Sequence, residues 1–89
     1  MNKTGRKTIE DAMSKIQEAI ELLNVAKDMI EELQEEEQEK FDNMPENLQY
    51  SEKGEALEQS AETLQDLVDS LENVIDEVDE LICHEATDL

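Results

Sequence analysis

The sequence predicts an all-α protein, an antiparallel two-helix hairpin that pairs with a second copy as a four-helix bundle. Three observations lead there. Apolar residues recur every seven positions in two long stretches, a proline-containing break separates those stretches, and 89 residues with 2% aromatics offer too little material for a deep core within one chain.

Met1 to Lys7 carries Lys3, Gly5, Arg6 and Lys7 with no acid and no apolar period, so residues 1–8 are expected to form a flexible basic tail. Thr8 followed by Asp11 resembles a capping box, which starts the first helix at Ile9. Ile9, Ile16, Leu23 and Ile30 form a heptad column, flanked by Ala12, Ala19, Ala26 and Leu33 three positions on, and by Met13 and Ile20 beside them. The small Ala column predicts close approach of a neighbouring helix, and Leu22 and Met29 widen the apolar face. This pattern runs to Lys40, giving a helix over 9–40.

The reversal is expected over 41–51. Pro45 disfavours helical geometry at Met44 and removes a backbone donor, while Asn43, Asn47 and Ser51 are turn and cap formers. Ser51 is the expected N-cap of a second helix over 52–83, with Glu52 and Glu55 in its first turn. Leu57, Leu64, Leu71 and Val78 repeat by seven, bordered by Leu67, Val74 and Leu81 on one side and by Ala61, Val68, Ile75 and Ile82 on the other. Residues 84–89 read as a short C-terminal tail. The two helices are of equal length and joined by a short connection, which predicts antiparallel packing of one helical domain over 9–83. A lone hairpin leaves part of each wide stripe wet, so the core and dimer seam is assigned to Ile9, Ile16, Ile20, Leu23, Ile30, Leu33, Leu57, Leu64, Leu67, Val68, Leu71, Val74, Ile75, Val78, Leu81 and Ile82.

The net charge is −19, from 26 acidic and 7 basic residues. Such a polyanion disfavours direct nucleic-acid binding, and the absence of a long apolar run disfavours a membrane span or a secretory signal. The single Cys83 forms no internal disulfide, which fits a cytoplasmic setting. No cofactor or metal site is expected: the EF-hand pattern is missing, and the sole histidine, His84, has no Glu three residues before it. Cys83 beside His84 lacks a third orienting group, so the thiol is read as inert and the protein as no enzyme. Phe41 and Tyr50, the two aromatics, flank the break and are expected to plug the end of the bundle with Met44 or Leu48.

The acids themselves are patterned. From Gly54 to Leu89 there are 12 acids and no Lys or Arg. Glu55, Glu62, Asp69 and Asp76 recur by seven, beside Glu58, Glu72 and Asp79 on one flank and Asp66 and Glu80 on the other. Like charges four apart, as in Glu58 with Glu62 or Asp76 with Glu80, oppose helix formation, a cost that apolar burial outweighs. Each helix span holds 11 acids, so the pair carries one carboxylate per ~2.2 Å of axis, against about one phosphate per ~1.7 Å of duplex. The array therefore matches a groove of Lys and Arg. The candidate partner-binding residues are Glu55, Glu58, Glu62, Asp66, Asp69, Glu72, Asp76, Asp79 and Glu80, with Glu31, Glu32, Glu35 and Glu36 from the first helix. The plainer alternative is that the acids only keep an amphipathic dimer soluble.

The turn FDNMPENLQ, Phe41 to Gln49, followed by Ser51, Glu52, Lys53, Gly54 and Glu55, resembles the loop of a group of small acidic helical proteins from phages and mobile elements of Gram-positive bacteria. That resemblance implies an accessory protein in a bacterial host cytoplasm. By analogy with small acidic proteins of that setting, the charge array is expected to act as a DNA-mimic-like inhibitor of the anti-CRISPR or anti-restriction class, binding a basic host or viral protein. The competing expectation is a structural or assembly protein that binds another helix through its apolar seam.

Overall fold

The computed structural model describes residues 1–85. They form α1 (Lys3–Asp42), a single-turn α2 (Glu46–Gln49) and α3 (Glu52–Glu80), followed by a π turn over Leu81–Glu85. The class is all-α, as the heptads predict. The Cα envelope measures 68 × 16 × 15 Å, with a radius of gyration of 19.9 Å where a compact chain of this length has about 12 Å. It is a rod two helices thick.

α1 begins well before the expected Ile9. Asn2 adopts extended backbone and its Oδ1 accepts the Gly5 N–H at 2.7 Å, which caps the helix at Lys3. Of residues 1–8, expected to form a basic tail, 3–8 are therefore helical. Thr8, the expected cap, lies inside the helix, and its hydroxyl donates to the Thr4 carbonyl at 3.1 Å. A cap at Asn2 suffices because helix propagation needs no apolar face once the first turn is closed.

The seam between α1 and α3 follows spacings of four and three on both helices. On α3 it runs Gly54, Leu57, Ala61, Leu64, Val68, Leu71, Ile75, Val78 and then Ile82 in the π turn, all buried or half-buried. On α1 it runs Ile9, Met13, Ile16, Ile20, Leu23, Lys27, Ile30, Gln34, Glu37, Phe41 and, beyond the helix, Met44, again all buried or half-buried. The column partnering Ile9 to Ile30 is thus four residues on, not the Ala column three residues on. Ala12 and Ala26 are half-buried, Ala19 is exposed and Leu33 is 45% exposed, so that column borders the seam. Leu67 and Val74 likewise stand outside the intrachain seam. Lys27, Gln34 and Glu37 are accommodated because long side chains lay their stems along apolar surface and keep their polar ends wet. Among the described residues the buried hydrophobics are Ile20, Ala61, Val68 and Ile75, so the core is one layer deep.

The reversal is built at its predicted place, but with more structure than a loop. Pro45, with φ −55°, precedes α2, and Leu48 N–H donates back to the Pro45 carbonyl at 2.8 Å. Gln49 Nε2 donates to the carbonyls of Phe41 at 3.1 Å and Met44 at 3.3 Å, satisfying acceptors at the C-terminal end of α1. Ser51 caps α3 as expected, its Oγ accepting the Gly54 N–H at 3.3 Å while donating to the Leu48 carbonyl. Gly54 is buried against this turn: a Cβ there would lie 2.6 Å from the Leu48 carbonyl oxygen. Phe41 and Met44 are half-buried in the seam, whereas Tyr50 is 78% exposed and plugs nothing. At the other end, α3 stops at Glu80, three residues short of the expected Cys83, and passes into the π turn. Of the expected tail 84–89, positions 86–89 lie outside the described residues.

Candidate functional site

The same four-three spacing that builds the seam divides the remaining surface into two unlike sides. Side chains immediately flanking the seam on one side of α3 are Glu58, Glu72 and Asp79, with Glu55, Glu62, Asp69 and Asp76 behind them; all seven are exposed. Asp66 and Glu80, also exposed, occupy the outer edge. On α1, Glu31 and Glu35 belong to the same side, Glu31 half-buried and Glu35 exposed. Glu32 lies on the outer edge of α1. Glu36 does not join the array, since it follows Leu22 and Met29 at seven-residue spacing on the opposite side.

Helix pairing brings the two acidic flanks together. Residue numbers run in opposite senses across the seam: Leu33 and Glu37 share a groove with Ala56, Ser60 and Leu64, whereas Asn24 and Lys27 lie beside Ile75 and Asp79. With that sense, like flanks of the two helices meet. Glu21 and Asp28, which sequence reasoning left out, fall in one column with Glu35 and extend the acidic side along α1. Their seven-residue spacing from Glu35 was the available signal. Along this side runs a groove of about 340 Å³ lined by Asn24, Lys27, Glu72, Ile75, Asp76 and Asp79. Lys27 therefore sets a cation, rooted in the seam, among three carboxylates; Asn24 beside it is held by its own bond to the Ile20 carbonyl at 3.1 Å.

The other side is a different surface. Ala12, Ala19, Leu22, Ala26, Met29 and Leu33 of α1 run alongside Ala56, Ser60, Thr63, Leu67, Ser70 and Val74 of α3. Leu22 is 71% exposed and Met29 66%. The small residues Ala56, Ser60 and Thr63 leave an open groove of about 600 Å³ against Leu33 and Glu37. Glu37 accepts a charge-assisted hydrogen bond from Lys40 at 3.3 Å at the rim of this groove.

Among the described residues, no three His, Cys, Asp or Glu side chains converge so as to hold a metal ion. Cys83 is an exposed free thiol in the π turn, and His84 is exposed beside Glu77, Glu80 and Leu81. No helix among the described residues is long and apolar enough to cross a membrane. What the surface supplies is contact area: a carboxylate field on one side and an acid-poor, partly apolar strip on the other. No family model, curated protein or solved structure matches this chain.

Proposed function

We propose that the chain is a non-enzymatic binding protein: an antiparallel helical hairpin, paired with a second copy as a four-helix bundle, whose acidic side occupies the basic nucleic-acid-binding surface of another protein. The partner is a host defence or DNA/RNA-processing protein, and the outcome is inhibition by mimicry of a phosphate array, in the manner of an anti-restriction or anti-CRISPR protein acting in a bacterial cytoplasm. One observation carries this reading. Seven exposed carboxylates of α3, Glu55, Glu58, Glu62, Asp69, Glu72, Asp76 and Asp79, are gathered on one side of the rod, and from Gly54 onward the sequence has no Lys or Arg. A fixed field of one sign steers an oppositely charged partner and is strongest at low salt. The resemblance of the Phe41–Gln49 turn to loops of phage and mobile-element proteins supplies the biological setting of the proposal.

The test is capture of partners from a bacterial lysate by the wild-type protein and by a variant carrying Glu62→Gln, Asp66→Asn, Asp69→Asn and Glu72→Gln. These four side chains are exposed, so the variant keeps its helices. The proposal expects partners that duplex DNA or high salt releases and that the neutralised variant fails to capture. Equal capture by the two proteins removes the acidic side from the mechanism. A second reading, a structural or assembly protein acting through apolar contacts, draws on the exposed Leu22, Met29, Leu67 and Val74. It expects capture that survives high salt.

A further inference from the structure

We infer that the acid-poor side of the rod is where two copies of this chain meet, so that the assembled dimer carries one acidic side on each of its opposite outer surfaces and engages two basic partners at once. The inference rests on the dimer in the reading above and goes beyond it by assigning the contact surface and the valency.

The first argument is charge. A chain of net charge −19 repels its own copies, and close approach is tolerable only where few carboxylates are brought together. Between Ala12 and Leu81 the columns of the acid-poor side hold Lys15, Lys40 and Lys53 against Glu36 and Glu77, a near balance confined to its ends. The columns of the opposite side carry acids in almost every turn. Mating through that side would press carboxylates against carboxylates in a setting with little water to screen them.

The second argument is area. The chain exposes 6779 Å², where a compact monomer of 10.2 kDa exposes about 5,300 Å². The apolar stretch from Ala12 to Leu33 is about 32 Å long, and with a rod width of 16 Å it offers about 500 Å² per copy, about 1,000 Å² for a pair. That figure, before side-chain relief is added, reaches the lower bound for a specific interface. The chemistry at its centre also fits: Leu22 at 71%, Met29 at 66%, Leu67 at 47% and Val74 at 45% exposure are the large apolar groups that the thin core leaves uncovered. Covering them produces a four-helix layer in which the outward surfaces are the acidic ones.

The experiment is sedimentation equilibrium on the full chain, with circular dichroism as the check on folding. The wild type is expected to sediment as a dimer. Leu22→Glu with Met29→Glu is expected to give a monomer of unchanged helicity, the dimer dissociation constant rising by at least ~100-fold because four unpartnered carboxylates would be buried. A wild-type monomer at high concentration overturns the inference, as does a dimer that survives the double substitution. Should that variant lose helicity, single cysteines in a Cys83→Ser background decide the question. Thiol labelling at Met29→Cys must slow as protein concentration rises, while labelling at Asp69→Cys must not; equal behaviour at the two positions also overturns the assignment. The functional proposal fails separately: a dimer that captures no basic partner leaves this contact intact and removes only the mimicry.

Discussion

Two glycines lie in the first turns of α1 and α3, and replacing each with alanine is expected to move stability in opposite directions. Helix propensity alone favours both changes, by at most about 1 kcal/mol each. At Gly5 the new Cβ would come within 2.7 Å of Met1 Cγ and 3.1 Å of Asn2 Oδ1. Met1 is 62% exposed at the chain terminus and can swing away, so Gly5→Ala is expected to be neutral or stabilising. At Gly54 the new Cβ would meet the backbone of Leu48 and Gln49, with the Leu48 oxygen at 2.6 Å. Those carbonyls belong to α2, which is pinned by Pro45 on one side and by the Gln49 bonds to Phe41 and Met44 on the other. The turn must lift by most of an ångström, and overpacking of this kind costs about 1–3 kcal/mol. After a propensity gain of at most about 1 kcal/mol, Gly54→Ala should lose about 1 kcal/mol at the middle of that range, a drop of about 4–8 °C in melting temperature for a domain of this size. The assay is thermal and urea unfolding followed by circular dichroism, all proteins at one concentration because dimerisation makes the midpoint depend on it. A Gly54→Ala protein as stable as wild type would refute the claim that the turn is seated on that glycine.

Ile75→Ala, at a site 6% exposed, is expected to cost about 2–5 kcal/mol in chemical denaturation, whereas Val25→Ala, at 56% exposure on the outer edge of α1, should change stability by less than about 0.5 kcal/mol. Raising NaCl from about 0.05 M to 0.5 M should raise the melting temperature by several degrees, because it screens like charges at four-residue spacing such as Glu72 with Asp76. A midpoint that falls with added chloride would mean that attractive ion pairs dominate the surface.

The helical class and the α3 seam were legible because Leu57, Leu64, Leu71 and Val78 interleave with Ala61, Val68, Ile75 and Ile82 without interruption, and no other strip of α3 is as continuous. α1 misleads for a physical reason. Its packed column, Met13, Ile20, Lys27, Gln34 and Phe41, is interrupted by two polar residues, while Ala12, Ala19, Ala26 and Leu33 run apolar as far as Lys40. Hydrophobicity alone selects the second column; side-chain length selects the first, since Lys27 and Gln34 can span the seam edge and alanine cannot fill it. The early start of α1 was hidden because a single Asn2 cap leaves no periodic trace. The acidic columns of α3 were readable from their spacing. That the opposite side is nearly free of acids, and that Glu36 belongs there, emerges only once the partner column of α1 is known.

The seating of the turn on Gly54 also restricts how such a chain can change length. With one end of the two rods clasped there, deleting or adding a single amino acid within α3 would rotate everything beyond it by about 100° and swing anionic groups inward. Growth or shrinkage is tolerated in blocks of seven, made simultaneously in both rods so that their free ends stay level. Individual surface letters can drift as long as their sign is kept; the count between clasp and free end cannot.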